Sequence, residues 1–208
     1  MSEYFEKAAI VWDNDPNRLN MARTIADAMI RVTRPKRTDI VLDYGTGTGN
    51  IALNLYPHVK KIIAVDSAKN MLVMLGGKLE KESITSIEPR EWSIGQDITG
   101  LPRFDRIVSS MTLHHVNDTS EASRVFYELL VPGGQLAIAD LDSENGEFHD
   151  DPGIAEHDGF DRKKLKGIFF DTGFQNIRFD EAARITKKSS LTGKIRDFTI
   201  FLMTAEKA

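Results

Sequence analysis

Two hydrophobic rhythms alternate along this chain. In the first, apolar side chains recur at helical spacing: Met21, Ile25, Ala28, Met29 and Val32 fall on one face. Asp15 stands where a helix cap belongs and Pro16 suits the first helical position. The helix is expected to stop before Pro35, because a proline pushes the residue ahead of it away from helical angles. In the second rhythm, short apolar runs are bounded by turn residues. Residues 39–43 (DIVLD) lead straight into GTGTG, and residues 61–65 (KIIAV) end at Asp66. Between them residues 50–56 read as a helix with Pro57 at its end. Residues 68–81 read as a further helix, 91–95 as a weak strand and 106–110 as a stronger one. Ala122, Val125, Phe126, Leu129 and Leu130 share a helical face over 119–130, and a Pro-Gly-Gly turn then precedes a strand at 135–140.

The last third is less regular. Residues 143–160 read as an acidic loop carrying His149 and His157. A helix is predicted from its cap Asp161 to about Thr172, with Gly173 as its stop. Two final strands are predicted at 175–180 and 197–206. Strands that alternate with helices imply a doubly wound, mostly parallel α/β sheet of the Rossmann-like kind. The chain reads as one domain, 1–208, with a lid and helix over 1–36 and the α/β core over 37–208. Such a sheet holds ligands beyond the carboxyl ends of its strands. That rule gathers residues 43–49, Asp66, 95–98, 110–115 and 140–142 into one place.

Composition narrows the partners. The 208 residues are 41% hydrophobic and 28% charged, with a net charge of −4 and no cysteine. Phosphate neutralisation drives nucleic-acid affinity and usually demands a basic face, so a nucleic-acid partner is not expected. Without cysteine there is no disulfide, thiolate metal site or thiol nucleophile. The charged start, MSEYFEKAAIVWDNDP, lacks a signal-peptide core, and no apolar run approaches a membrane span. The expectation is a soluble, cytoplasmic protein, monomer or homodimer, without a membrane partner.

The chemistry concentrates at VLDYGTGTGNIAL, residues 41–53. Asn50 fills the position where a dinucleotide fingerprint requires its last glycine, so the run is D-x-G-x-G-x-G rather than GxGxxG. This weighs against an NAD-dependent oxidoreductase. Glycines by themselves fit a tight turn without any ligand as well as they fit a ligand-binding loop. Asp43, two residues before Gly45, suits an ammonium group rather than a pyrophosphate. Asp66 at the next strand end reads either as a cap for the following helix or as a bidentate acceptor for two ribose hydroxyls; with Asp43 and the glycines beside it, the second is favoured. In GQDIT, Asp97 could accept an adenine amino group while Ile98 packs on the ring. Met71 is placed equally well on the other ring face or in the core.

These segments resemble the class I S-adenosylmethionine-dependent methyltransferases, especially the small-molecule group related to ubiquinone and menaquinone biosynthesis enzymes. VLDYGTGTGNIAL, IIAVDSAKNML, GQDIT, FDRIVSSMTLHHVND and ELLVPGGQLAIADL follow the family's order over residues 39–141. The resemblance implies a seven-stranded sheet of order 3-2-1-4-5-7-6 with an antiparallel last strand. It implies S-adenosylmethionine as cofactor, lined by Asp43, Gly45, Gly47, Asp66, Met71, Asp97, Ile98 and Met111, with Thr46 and Ser67 beside them.

The acceptor side is less legible. The fourth strand ends in Ser109-Ser110-Met111-Thr112, not the N/D/S-P-P-aromatic tetrapeptide of amino-methylating nucleic-acid enzymes, and a cytosine-C5 enzyme would need a cysteine. A small-molecule acceptor methylated at O, N or C is therefore expected, against the alternative of a catalytically silent cofactor-binding subunit that regulates a partner. His115 is expected to align the acceptor or serve as base. His114 reads either as an acceptor contact or as a loop residue. The carboxylates around His149 and His157, with Asp140, read as a solvated loop rather than a metal site, and no metal is expected. EHDGF, residues 156–160, resembles a segment of bacterial members, which places His157 and Phe160 at the acceptor pocket. Tyr4, Phe5, Val11 and Trp12 suit an amphipathic lid that excludes water, with Trp12 facing the acceptor.

Overall fold

The computed structural model describes residues 2–151 and 153–208. Seven strands form one sheet: β1 (Ile40–Tyr44), β2 (Lys61–Asp66), β3 (Ile87–Glu91), β4 (Phe104–Ser110), β5 (Leu130–Leu141), β6 (Phe174–Lys188) and β7 (Ile195–Lys207). Their order is β3-β2-β1-β4-β5-β7-β6. β1 to β5 run parallel, and β7 is antiparallel to both β5 and β6. Both the order and the reversed last strand match the expectation.

Among the described residues there are six α-helices: α1 (Ser2–Ala8), α2 (Pro16–Thr33), α3 (Asn50–Leu55), α4 (Lys69–Glu82), α5 (Thr119–Leu129) and α6 (Arg162–Thr172). Successive strand residues face opposite sides, so each strand feeds two cores. Val41 and Ile62 join Ile25 and Met29 of α2, Ile51 of α3 and Leu75 of α4 on one side. Leu42 and Ile63 join Phe126 of α5 and Phe169 of α6 on the other.

The caps predicted for α2 and α6 fall where the sequence places them, and α5 has one that was not predicted. Asp15 accepts the Asn17 amide at 2.9 Å, and α2 stops at Arg34 in a left-handed turn before Pro35. Asp118 caps α5, Asp161 caps α6, and Gly173 closes α6 at φ +114°. Arg106 of β4 ties the strand bottoms together: buried, it pairs with Asp39 and donates to the Thr33 carbonyl.

Four strands differ most from expectation. β3 lies four residues earlier than predicted and contains Pro89. It is an edge strand, so one side of its backbone has no ladder for proline to break. β5 begins at Leu130 and carries Pro132-Gly133-Gly134 within it as an irregularity opposite Phe104 and Arg106. β6 and β7 extend past the predicted ends as a long hairpin. Its outer half, residues 183–188 against 195–200, is largely polar and exposed on one face, which masked its strand character.

Candidate active site

The glycine bend follows β1 at the middle of the sheet. The Gly45 and Thr46 amides both donate to the Val65 carbonyl at 2.9 Å, which bends the chain across the tip of β2. Gly45 sits at φ +69°, and a Cβ there would overlap the side chain of Thr112 at the end of β4. Thr112 in turn donates to the Gly45 carbonyl at 3.2 Å. The tips of β1, β2 and β4 are thereby fastened into one rim. Gly47, at φ +55°, instead has open space where its Cβ would lie.

Two acids flank this bend. Asp43 is 1% exposed, and the Thr46 hydroxyl donates to it at 2.7 Å. Burial pushes its carboxyl up to about 7, the Asp66 charge adding to the effect. Asp66 accepts the Gly47 amide at 2.8 Å on one oxygen and the Ala68 amide at 2.8 Å on the other. Burial raises its pKa as well, opposed by these amides. Each carboxylate oxygen accepts more than one bond, so Asp66 keeps capacity for two further donors. Asp66 braces the entry to α4, as its capping reading has it, and also faces the bend. Neither acid pairs with a basic side chain among the described residues. A buried and a half-buried carboxylate without a counter-cation among the described residues, open space over Gly47 and spare acceptor capacity on Asp66 fit a cationic nucleoside.

The other expected cofactor residues divide. Met111 follows β4 at φ +53°, a left-handed conformation rare outside glycine, held by its amide on the Ala139 carbonyl at 2.8 Å. Met71 is buried with Ala9 and Ala68, so it supports the N-terminal segment. Ser67 is exposed. Asp97 is exposed and already takes the Thr99 amide and hydroxyl at 2.9 and 2.6 Å; with β3 shifted it lies in a loop beyond the strand tip. Ile98 is half-buried against the core on the α5 side.

At the end of β4, His114 and His115 form a 3-10 turn, Leu113–His115. Register explains what His114 meets. Ser110 lies opposite Ala139, so Asp140 of β5 stands beside the start of that turn. His114 Nδ1 lies 2.6 Å from the Asp140 carboxylate, both groups essentially buried. Burial would raise the Asp140 pKa, but His114 and the Leu141 and His114 amides outweigh it and hold the carboxyl below its ordinary value. His115 Nδ1 lies 2.8 Å from the Ile154 carbonyl. His149, from the loop, places its Nε2 3.1 Å from that of His114. Burial and the neighbouring His114 lower His115 to about 3 and His149 to about 4. The sequence named His149 only within an acidic loop; its partners became visible once β4 and β5 were paired.

His157 stands beside this cluster. Its Nε2 lies 2.9 Å from the Val116 carbonyl, and its amide donates to the His114 carbonyl. Phe160 is buried, bridged to Asp142 and packed near Phe201. The loop carboxylates are dispersed: Glu147 pairs with Arg196, and Asp142 with Arg162.

The N-terminal segment lies across the rim. Phe5 and Trp12 pack, as Met74 does, on the cluster of Ala9, Ala68 and Met71, and the Phe5 ring centre is 5.1 Å from that of His115. Arg18 covers the Trp12 ring at 4.0 Å. Tyr4 and Val11 are exposed. Two latches went unread in the sequence. Glu6 accepts the Lys69 and Asn70 amides at 2.7 Å each, and so caps α4 from a distance. Asp13 accepts Thr48, Asn50 and Lys78 at 2.8, 2.9 and 2.6 Å.

The fold and this rim define a class I, Rossmann-like methyltransferase architecture. Residues 18–178 match the methyltransferase domain family, and the chain belongs to it. S-adenosylmethionine is the cofactor of that class. An uncharacterised methyltransferase of Schizosaccharomyces pombe is 30% identical over 151 residues, 65% of this chain and 53% of that protein. The chloroplastic 2-phytyl-1,4-beta-naphthoquinone methyltransferase of Arabidopsis thaliana is 27% identical over 150 residues, 68% of this chain and 57% of that protein. The matches thus span about half to three-fifths of these relatives' lengths. In fold, the YcgJ protein of Bacillus subtilis superposes with a TM-score of 0.72 at 16% identity, over 88% of this chain and 97% of its own.

Proposed function

We propose that this protein transfers a methyl group from S-adenosylmethionine to a small molecule, at oxygen, nitrogen or carbon. One observation carries the reading: Asp43 and Asp66 flank an open glycine bend whose rim continues, through Thr112, to His114 and His115. When bound, the cofactor supplies an electrophilic methyl on a sulfonium.

The residues then have distinct tasks. Asp43 offsets the ammonium of the amino-acid head, and Asp66 receives the ribose hydroxyls. Gly47 leaves room for the ligand to approach the backbone. Phe5 and Trp12 exclude water. In-line displacement depends on alignment, and a dry site lowers competition from solvent. The Ile154 carbonyl can only accept, so His115 presents Nδ1–H to it and leaves Nε2 free to accept from the acceptor. A histidine held neutral so far below its ordinary pKa is a weak base, so His115 orients the acceptor more than it deprotonates it. His157 acts as a positioning residue, holding residues 156–157 against His114.

The test is transfer of labelled methyl from S-adenosylmethionine in a whole-cell extract that is afterwards separated into small-molecule, RNA and protein fractions. Label should enter the small-molecule fraction, and His115→Ala should lower turnover while leaving cofactor affinity intact. Label appearing only in RNA or protein would overturn the small-molecule acceptor, and absence of cofactor binding would overturn the whole reading.

A further inference from the structure

We propose that His114, His115 and His149 form a binding site for one divalent transition-metal ion, with a coordination position left open toward the rim. The sequence reading expected no metal, because it judged the carboxylates of the 143–160 loop. The structure sets those carboxylates aside and gathers imidazoles instead.

One ligand nitrogen from each of the three rings falls within 4.8 Å of the other two. Two ligands on a tetrahedral ion, each about 2.0–2.1 Å from it, stand about 3.3 Å apart. The His114 and His149 Nε2 atoms, at 3.1 Å, are already near that spacing. A single hydrogen occupies the gap between them, and a metal ion would take its place. Three imidazoles with an open fourth position form the donor set of a reactive rather than a sealed site. Nitrogen ligands of this kind suit zinc, copper, nickel or iron better than magnesium or calcium.

The outer contacts carry the argument further. Metal-binding histidines nearly always donate their second ring nitrogen to a carboxylate or a backbone carbonyl, which fixes the tautomer and aims the ligand. His114 Nδ1 lies on the Asp140 carboxylate at 2.6 Å, and His115 Nδ1 on the Ile154 carbonyl at 2.8 Å. The first arrangement turns the His114 Nε2 toward that of His149, and the second leaves Nε2 as the His115 nitrogen available to ligate. Two independent elements supply the orienting groups, β5 and the loop before His157. A loop packed only for stability has no need to converge three imidazoles on one point.

With its Nε2 on the metal, His115 would orient the acceptor through the ion's open position, which suits an acceptor with an ionised oxygen, in place of the direct hydrogen bond described for the metal-free protein. That consequence deepens the acceptor-side reading above and rests on it; metal binding itself does not. The experiment is to strip the purified protein with chelator and titrate it with Zn²⁺ by calorimetry and with Co²⁺ by visible absorption. One equivalent should bind, and the cobalt form should show the intense d–d bands of a tetrahedral nitrogen site. His149→Ala, on a half-buried loop, should weaken binding a hundredfold or more, since even orienting partners are worth about 10–100-fold. His58→Ala, remote from the cluster, should bind as the native protein does. Failure to bind either ion stoichiometrically, or unchanged affinity in His149→Ala, would overturn the site and leave Asp140, His114 and His149 as a hydrogen-bonded relay. S-adenosylmethionine binding measured on the same stripped protein separates the proposals. Cofactor without metal sinks this inference only; metal without cofactor sinks the proposed function only.

Discussion

Asp66 holds the Gly47 amide at 2.8 Å, so the tip of β2 is bonded to the middle of the glycine bend that follows β1. The same carboxylate takes the Ala68 amide on its other oxygen. One side chain therefore shapes the bend, starts α4 and faces the expected ribose. Asp66→Ala should weaken S-adenosylmethionine by about 1.5–3 kcal/mol, the range for hydrogen bonds to a charged group. It should also lower the melting temperature of the cofactor-free protein, because two amides lose their acceptor. Calorimetry on the folded variant checks the first, a thermal melt the second. Native affinity in a folded Asp66→Ala protein would remove Asp66 from the site.

Asp43 makes a pH prediction. Its carboxyl is raised from 3.8 to about 7 in the fold, chiefly by burial. Between those values the native state holds a proton that the unfolded chain releases, so stability falls as pH rises through that window. The contribution is fully present below about pH 4 and gone above about pH 7. Asp43→Asn removes the slope, so the cofactor-free variant should exceed the native protein at pH 8 by on the order of 2–4 kcal/mol. Cofactor affinity should fall at the same time, because the ammonium loses its counter-charge. Parallel melting curves for the two proteins from pH 4 to 8 would show that Asp43 titrates normally.

What the sequence could show follows from how local each signal is. Asp15, Asp161 and Gly173 act within a few residues of themselves, and each sits where the sequence places it. Sheet order was inferred from five segments in register rather than from any one of them. The histidine cluster was not legible because its members come from residues 114, 115 and 149, and only strand register brings Asp140 beside them. Glu6 and Asp13 look like ordinary surface acids in the sequence. Their partners, on α4 and the glycine bend, are more than thirty residues away. β3 was misplaced because Pro89 argues against a strand unless the edge position is known.

The glycines separate stability from binding. Gly45→Ala drives a Cβ into Thr112 at a positive φ, whereas Gly47→Ala meets nothing. Both pay the left-handed penalty of about 1–2 kcal/mol. Only Gly45→Ala should add a steric cost and melt well below Gly47→Ala. Gly47→Ala should fold but lose cofactor affinity at least tenfold, since its methyl fills the space the ligand needs. Equal melting temperatures, or unimpaired binding by Gly47→Ala, would contradict this assignment of the bend.

The N-terminal segment tests whether the site opens through its latches. Glu6 and Asp13 hold it at two points, one on the α4 amides and one on Thr48, Asn50 and Lys78, with Phe5 and Trp12 packed between them. A lost cap costs about 1 kcal/mol, and lost bonds to a charged group about 1.5–3 kcal/mol. Glu6→Ala combined with Asp13→Ala should therefore raise amide hydrogen exchange over residues 3–14 by roughly a hundredfold, each 1.4 kcal/mol being about tenfold. Exchange in β1, β2 and β4 should not change, because no latch reaches them. Cofactor association should accelerate, since opening the segment is the step that exposes the bend between Asp43 and Asp66. Dissociation should accelerate too, so affinity should change much less than either rate. If exchange rises but both rates stay at their native values, the cofactor enters by another route, and the segment is a structural cover rather than a gate.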